Sequence, residues 1–268
     1  MLRLSALYRY PLKSGKAETL QHIGLDKLGL DGDRRWMLVD EASGRFLTQR
    51  AVAKMSQLSA LWNSAGGLTL HSPGFAALDV ALPGSDAELR GVTIWRDTLR
   101  VPDAGDVAAA WVSDFIGKPT RLVQVPLTRA RTTQAGYGKD DDQVGFADGF
   151  PLLLIGQASL DDLSQRVGRA MEMLRFRPNL VIEGSEAFAE DGWKRLRIGE
   201  VEFRVVKSCS RCILTTIDPA SGERSADREP LATLKTYREQ DGDVMFGQNL
   251  VNDDIGELAV GMPVTILE

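Results

Sequence analysis

Cysteine and histidine are scarce in this sequence, and their scarcity excludes two kinds of protein. Among 268 residues there are two cysteines, Cys209 and Cys212, and two histidines. Two cysteines cannot form the disulfide framework on which small secreted domains depend. A zinc site needs four ligands, and the only other soft donors, His22 and His71, lie far upstream in the chain. We therefore expect neither a disulfide scaffold nor a zinc centre.

Long apolar runs and an excess of positive charge are also missing. Residues 150–155, one of the longest apolar runs, include Pro151 and are far fewer than the roughly 18 residues of a membrane span. Arg3 and Arg9 lie within the apolar N-terminal stretch and leave no room for the core of a signal peptide. The formal net charge is −5, whereas nucleic-acid-binding proteins are usually basic. We predict a soluble cytoplasmic protein that binds no membrane and no nucleic acid polymer.

The remaining composition is that of an ordinary globular protein, with 43% hydrophobic and 26% charged residues. The length exceeds what a single hydrophobic core usually serves, so we expect one large or two modest domains. Short strand-like stretches such as Leu68–His71 and residues 92–101 fill the first hundred residues between glycine-rich turns. Many short strands at close spacing predict a barrel or sandwich rather than alternating strand–helix–strand units.

Three helices are predicted among these strands. The first is Asp106–Ile116, with Gly117 as its C-terminal cap and an apolar face of Val107, Ala110, Trp111 and Phe115. The second begins at Ser159, with Asp162 completing an approximate capping box, and the third runs from Pro230 towards Tyr237. Strands are predicted between the second and third helices at residues 180–182, 201–206 and 213–217.

Residues 126–150 have no apolar periodicity and contain three consecutive aspartates, Asp140, Asp141 and Asp142. Compact domains seldom contain such long irregular segments unless the segment covers a site or is disordered. Two interpretations stay open, a lid over a functional site and an ordinary surface loop. The tryptophans Trp36, Trp95, Trp111 and Trp193 are interpreted as core or boundary residues.

Cys209 and Cys212 are the first candidates for chemistry, and their sequence context leaves several interpretations open. A redox dithiol normally places its first cysteine at a helix N-terminus, but the residues after Cys212 are β-branched and strand-like. Two buried structural cysteines are another possibility. The last is a thiolate ligand for a soft metal whose remaining ligands come from a cofactor, and the flanking Lys207 and Arg211 favour the thiolate form.

Several motifs, in the same order along the chain, resemble one known family. They are residues 208–219 (SCSRCILTTIDP) with Gly222, 228–231 (REPL), 10–14 (YPLKS), 29–30 (GL), 33–36 (DRRW), 176–179 (FRPN) and 246–248 (FGQ). Together they resemble the MOSC domain and its N-terminal β-barrel domain, in the branch that contains the mitochondrial amidoxime-reducing component and its bacterial relatives. The resemblance implies a mostly β (α+β) fold, with a barrel-like N-terminal domain over 1–120 and a MOSC β-barrel domain with a few flanking helices over 121–268.

The resemblance also implies a cofactor and the residues that bind it. The cofactor is the molybdenum cofactor, a molybdopterin with a terminal phosphate, and its molybdenum would be bound by Cys212, the second cysteine of the motif. Cys209 matches the motif without being a metal ligand. The residues that match cofactor-contacting positions are Lys13, Ser14, Arg34, Arg177, Ser210 and Arg211. Arginine and lysine side chains are suited to a phosphate and to the polar edge of a pterin.

The sequence departs from the family pattern at two places. Gly149 and Phe150 precede Pro151 where relatives have small hydroxyl residues, and Asn249 stands where an aromatic residue can occur. The family's phosphate or substrate contacts at these two positions are therefore not carried over to this chain.

These implications predict an enzyme that reduces N-hydroxylated compounds, such as hydroxylaminopurines or amidoximes, to amines or amidines. Its electrons would come from an external reductase or ferredoxin-like protein, because iron–sulfur clusters commonly need four cysteines. One alternative is a non-catalytic carrier of the molybdenum cofactor or of sulfur, because MOSC domains also occur in molybdenum cofactor sulfurases. Another is a cofactor-free thiol protein.

Overall fold

Apolar and β-branched stretches make strands the dominant secondary structure, with 39% of residues in strands and 17% in helices. The structure is a computed structural model that describes residues 1–63 and 65–268. The strands of its N-terminal half are β1 (Arg3–Arg9), β2 (Glu18–Leu20), β3 (His22–Asp26), β4 (Gly29–Leu30), β5 (Trp36–Asp40), β6 (Ser59–Trp62), β7 (Leu68–His71), β8 (Leu78–Val80), β9 (Leu89–Ile94), β10 (Asp97–Pro102) and β11 (Thr120–Gln124).

The C-terminal half contributes fewer but longer strands. They are β12 (Arg131–Thr132), β13 (Gln143–Val144), β14 (Leu152–Gly156), β15 (Leu180–Glu183), β16 (Arg195–Ile198), β17 (Val201–Arg211), β18 (Glu239–Gln240), β19 (Asp243–Asn252), β20 (Gly256–Ala259) and β21 (Val264–Ile266). The helices of the whole chain are α1 (Asp106–Ile116), α2 (Gln157–Val167) and α3 (Leu231–Lys235). Short 3₁₀ helices lie at Ala53–Gln57, Leu127–Arg129, Met173–Arg175, Ala189–Gly192 and Ile213–Thr216.

The largest sheet unites the two ends of the chain. Its strand order is β2-β1-β15-β14-β19-β17-β16-β21, with β18 paired to β19. β14 and β15 are parallel, and the other pairs within it are antiparallel. Apolar side chains from both halves, including Leu4, Leu154, Leu180 and Phe203, form the core beneath this sheet. The mostly β (α+β) fold class is therefore confirmed.

The expected closed barrels are not formed in the described residues. The main sheet ends at β2 on one side and β21 on the other, and the smaller sheets have two or three strands each. Both edge strands of the main sheet have only three residues. Beside β21, residues 261–264 hydrogen-bond to residues 2–4 and form one isolated bridge, Arg3 to Pro263, rather than a strand pair. The domain boundary at residue 120 stays a prediction.

Helix α1 has the predicted bounds, and Gly117 caps it in the left-handed conformation at φ 85°. Its predicted apolar face was wrong, because Val107 is 72% exposed. The buried face instead contains Ala108, Val112 and Phe115, whose spacing of four and three residues matches the helical repeat. The buried side of α1 is therefore rotated by about one residue from the predicted face.

The second helix begins two residues earlier than predicted, and Ser159 does not cap it. The Ser159 hydroxyl is buried and donates to Glu190 Oε1 at 2.7 Å, while the Phe188 amide donates to the hydroxyl at 2.7 Å. The third helix is also shorter than predicted, since it ends at Lys235. None of the described helices combines the length and apolar character that a membrane crossing requires.

The predicted strand over residues 213–217 was wrong, since Ile213–Thr216 form a single 3₁₀ turn that begins directly after Cys212. The hydroxyl of Thr215 donates to the carbonyl of Cys212 at 3.0 Å, and that of Thr216 to the carbonyl of Ile213 at 2.7 Å. Such local side-chain bonds compete with strand pairing for the backbone carbonyls. The extended strand β17 therefore ends at Arg211, and the chain turns after Cys212.

Residues 126–150 are held to the body of the protein by specific contacts. Within the segment, the buried Arg131 donates to the backbone carbonyls of Gly145 and Ala147. Asp142, from the aspartate run, accepts two hydrogen bonds from Arg204 at 2.7 and 2.9 Å. These contacts fix the end of the segment beside β14 and the cavity described below. The interpretation of the segment as a lid stays a prediction.

Candidate functional site

All seven residues that the sequence singled out line one cavity of about 140 Å³. We call it the inner cleft; the seven residues are Lys13, Ser14, Arg34, Arg177, Ser210, Arg211 and Cys212. It adjoins a wider cavity of about 780 Å³, the outer groove. Cys212, Ser210, Arg50, Trp95 and Asp148 line both cavities, so they lie where the two meet.

Cys212 reaches this position because β17 is long and irregular. The strand runs beyond its predicted end at residue 206 to Arg211, and its pairing with β19 shifts register twice, between Val205 and Lys207 and between Ser208 and Ser210. Register shifts of this kind turn side chains away from the regular alternation and often occur beside active sites. Cys212 then follows at the start of the 3₁₀ turn, at the boundary of the two cavities.

The two cysteines have different surroundings. Cys209 packs against the apolar cluster around Phe176 and Phe246, and Arg211 Nη1 donates to its sulfur at 2.8 Å. The sulfur of Cys212 accepts a hydrogen bond from Arg50 Nε at 3.3 Å. Both cysteines line both cavities, but it is the Cys212 sulfur that accepts a hydrogen bond from a side chain of the outer groove, Arg50.

Backbone strain is concentrated around the inner cleft. Among the described residues, seven that are not glycine have a positive φ, and four of these line the cleft. They are Ser14 (φ 64°), Arg34 (φ 46°), Trp95 (φ 53°) and Arg177 (φ 55°). A left-handed residue with a side chain costs roughly 1 kcal/mol or more, and such residues cluster at functional sites. Three of the four are positions that the resemblance assigns to cofactor binding.

Arg34 and Arg177 enter the cleft together and share one aromatic partner. Their guanidinium carbons lie 4.3 and 4.1 Å from the centre of the Tyr10 ring. Arg34 is neutralised, because it donates to Asp33 at 2.5 Å and also to Asn179 at 2.9 Å. Arg177 donates to the backbone carbonyl of Gly15 at 2.7 Å and has no carboxylate partner in the described chain. Arg177 and Arg211 therefore bring positive charge into the cleft that no carboxylate in the described residues neutralises.

Two buried N–H groups of the cleft have no acceptor in the described structure. They are Nη2 of Arg177 and Nε of Arg211. Burial lowers the pKa of Arg177 to about 10, and the charge of Arg34 adds to this lowering. A buried cation with an unused N–H group is costly unless an anion approaches it. The inner cleft is therefore suited to an anionic, hydrogen-bond-accepting ligand.

Lys13 is also buried in the cleft, but it already has a carboxylate partner. Its ammonium donates to Asp148 Oδ1 at 2.6 Å and to the backbone carbonyl of Phe146 at 2.7 Å. Burial lowers its pKa, and the Asp148 carboxylate opposes that effect. The sequence predicted a gathering of four cations, and the structure brings Lys13, Arg34, Arg177 and Arg211 together. Two of them already have a carboxylate partner.

The sequence motifs do not single out Arg50, and they leave Trp95 as a core or boundary residue. Trp95 is 40% exposed, because Trp95 and Arg96 form the two-residue turn between β9 and β10. The guanidinium of Arg50 lies 4.8 Å from the centre of the Trp95 ring, and Trp95 Nε1 donates to Asp148 at 3.3 Å. A tryptophan at a tight hairpin turn, where side chains leave the sheet, is the signal that could have identified this position.

The donor set fits the cofactor that the resemblance implies. Cys212 lies at the boundary of the two cavities, and one thiolate suits a metal whose other ligands come from the cofactor. The unused donors of Arg177 and Arg211 suit the acceptor groups of a pterin and its phosphate. The chemistry of the residues present is thus compatible with a molybdopterin.

Comparison with known proteins gives the same family. Residues 1–119 match the family model described as the MOSC N-terminal beta barrel domain, and residues 141–265 match the MOSC domain. The chain is 34% identical to the human mitochondrial amidoxime-reducing component 1, over 98% of this chain and 82% of that protein. It is 35% identical to the rat mitochondrial amidoxime reducing component 2, over 97% of this chain and 82% of that protein.

A third relative is named as a molybdenum cofactor sulfurase and not as an amidoxime-reducing component. The chain is 32% identical to a rice molybdenum cofactor sulfurase over 96% of this chain, but the match covers 33% of that longer protein. The predicted resemblance is therefore confirmed: the chain belongs to the MOSC-domain family and is a relative of the mitochondrial amidoxime-reducing components.

Proposed function

We propose that this protein is a molybdenum-cofactor-dependent reductase of N-hydroxylated compounds. The overall reaction takes two electrons and two protons, breaks the N–O bond, and gives an amine or amidine and water. The observation that carries the proposal is the position of Cys212, at the junction of a cleft with unused arginine donors and a groove open to substrate. The names of the relatives support the same chemistry.

The residues of the inner cleft would hold the cofactor. Cys212 would bind the molybdenum, and Arg177 and Arg211 would donate their unused N–H groups to the pterin or its phosphate. The cofactor would also contact Lys13, Ser14, Arg34 and Ser210. When bound, the cofactor supplies the centre that accepts the substrate oxygen.

The chain's own residues prepare the surroundings of the Cys212 sulfur. Arg50 donates a hydrogen bond to this sulfur and lies against Trp95, so its orientation is fixed. Asp148 holds Lys13 on one side and the Trp95 indole on the other. Phe150 is buried at the boundary and limits the access of water to the cleft. These contacts keep the sulfur in one place while the substrate enters from the outer groove.

The matched variants Cys212→Ala and Cys209→Ser test the assignment. We expect Cys212→Ala to fold normally, to lose bound molybdenum and to lose N-reduction. Cys209→Ser should retain both, because the Cys209 sulfur packs against the apolar cluster. Molybdenum and pterin analysis, with reduction of benzamidoxime by a dithionite-reduced viologen, provides the measurement. Full activity of Cys212→Ala would refute the proposal.

The electrons would come from a separate protein, a reductase or a ferredoxin-like donor. The sequence has two cysteines, whereas iron–sulfur clusters commonly take four, so we propose no internal electron relay.

A carrier of the cofactor or of its sulfur is the second candidate. The similarity to the rice molybdenum cofactor sulfurase, which covers a third of that protein, favours it. A carrier would contain stoichiometric molybdenum and pterin, yet would reduce no N-hydroxylated compound with any reductant tried. The same two assays therefore separate the enzyme from the carrier.

A further inference from the structure

The outer groove has an uneven set of charged side chains. Four basic and two acidic residues line it, in a protein whose formal net charge is −5. They are Arg50, Arg96, Arg131, Lys207, Asp97 and Asp148. The groove has more basic than acidic residues although the whole protein is negatively charged. It therefore favours anionic ligands.

Both carboxylates of the groove are already neutralised by buried cations. Asp97 accepts a hydrogen bond from Arg131 at 2.7 Å, and the Arg131 side chain is only 5% exposed. Asp148 accepts one from the buried Lys13 at 2.6 Å. Neither carboxylate is left to neutralise the remaining cations.

The remaining three cations have no carboxylate partner in the described residues. Arg50 donates to the Cys212 sulfur, and Lys207 donates to the amide oxygen of Gln134 at 3.0 Å. Lys207 Nζ also lies 4.4 Å from the centre of the Tyr137 ring. Arg96 is exposed at the hairpin turn and makes no hydrogen bond or ion pair to described residues. Lys207 and Arg96 are thus available to a ligand.

The geometry of β17 limits the separation between the backbone of Lys207 and that of Cys212. Lys207 precedes Cys212 by five residues, which is at most about 16 Å along an extended strand. The register shift between Ser208 and Ser210 shortens this distance. A ligand that reaches both positions therefore carries its negative charge several ångströms away from its reacting group.

We propose that the outer groove takes N-hydroxylated substrates with a remote anionic group, a carboxylate or a phosphate monoester. Lys207 and Arg96 bind this group, and the N–OH end lies towards Cys212. The inference rests on the function proposed above and narrows its substrate class. The groove cations also favour rapid encounter with anionic substrates.

Two matched substrate pairs test the inference on the purified holoenzyme, with a reduced viologen as electron donor. One pair is benzamidoxime and its carboxylated derivative, and the other is N-hydroxylated adenosine and its monophosphate. In the first pair the anionic group is a carboxylate close to the N–OH group. In the second pair it is a phosphate farther from the N–OH group. We expect KM of the anionic member of at least one pair to be about tenfold lower than that of its neutral partner. The difference should shrink as ionic strength rises.

Variants identify the residues responsible. In Lys207→Met and in Lys207→Met with Arg96→Met, the ratio of neutral to anionic KM should fall towards one. Lys118→Met is the control, because Lys118 pairs with Asp40 and lines neither cavity. It should leave the ratio unchanged.

The outcomes separate this inference from the proposed function. If the native enzyme reduces none of the four compounds, the proposed function fails. If it reduces them but prefers neither anionic partner, or if the preference survives in the double variant, only the present inference is overturned. A loss of molybdenum and pterin in Lys207→Met would also overturn it, because this lysine would then bind the cofactor.

Discussion

Arg50 donates a hydrogen bond from its Nε to the sulfur of Cys212 at 3.3 Å, although the two residues are 162 positions apart in the sequence. The guanidinium is held in place by the Trp95 ring on the groove side. Hydrogen bonds to a ligand sulfur withdraw electron density from it, and so they tune the metal that the sulfur binds. Arg50 is therefore a positioning residue for Cys212.

The first prediction concerns this contact. Arg50→Met should lower the reduction potential of the molybdenum, because the sulfur becomes a stronger donor, and should reduce activity by about tenfold to hundredfold. A redox titration with steady-state kinetics on benzamidoxime provides the measurement. Arg96→Met removes a groove charge without touching the sulfur and is the matched control for the potential. An unchanged potential in Arg50→Met would show that the hydrogen bond has no electronic role.

The second prediction separates cofactor binding from stability. Arg177→Met removes a buried cation without a carboxylate partner, so the free energy of unfolding of the cofactor-free protein should stay within about 1 kcal/mol or rise. Its molybdenum and pterin content should fall strongly. Arg34→Met should instead destabilise the protein by about 3 kcal/mol, because it leaves the buried Asp33 without its ion-pair partner.

Urea unfolding of the cofactor-free proteins and elemental analysis of the loaded ones measure the two effects. Equal destabilisation by the two variants would mean that Arg177 is an ordinary structural residue. Normal pterin content in Arg177→Met would remove it from the cofactor site.

The third prediction concerns the glycine in residues 246–248. Gly247 has φ 81°, and an added Cβ would lie 2.7 Å from Ile155 Cγ1 and 2.9 Å from the carbonyl oxygen of Leu154. Gly247→Ala should therefore destabilise the protein by about 3 kcal/mol or more, because backbone and packed core atoms cannot move aside. Gly242 has a similar φ of 84° with nothing within 4 Å, so Gly242→Ala should cost only about 1 kcal/mol. Equal urea midpoints for the two variants would contradict the steric explanation.

The fourth prediction concerns acid stability. Burial alone would raise the pKa of Asp142, but hydrogen bonds and the charge of Arg204 outweigh it and lower the pKa below its usual 3.8. The unfolded state therefore binds more protons between the two pKa values, and stability falls as the pH falls through this range. The stabilisation by Asp142 is present above about pH 4 and is lost below it.

Urea unfolding of the parent and of Asp142→Asn between about pH 2.5 and 6 tests this dependence. The two free energies of unfolding should differ most at the upper end and converge at the lower end. A difference that is independent of pH would show that packing, and not the ion pair, explains the contribution of Asp142.

The sequence predicted local structure well where a single residue type decides it. Gly117 ends α1 as predicted, because glycine adopts the left-handed conformation without steric cost. The buried face of α1 could not be fixed from the helix alone, since Val107 and Ala108 are both apolar and the surrounding sheet decides which is covered. The strand predicted after Cys212 failed for a related reason. Thr215 and Thr216 are β-branched, yet their hydroxyls bond to nearby carbonyls and form a turn.

The sequence by itself determined the family, the mostly β fold class and seven of the residues that line the inner cleft, because motifs in contiguous segments carry that information. The tertiary structure alone decided how those residues are used: Lys13 and Arg34 are neutralised by Asp148 and Asp33, and Arg177 is not. It also decided that Arg50 meets Cys212 and that three groove cations lack carboxylate partners within the described residues. The physical reason is that ion pairing and desolvation depend on distances between groups brought together by folding, and residue order does not specify those distances.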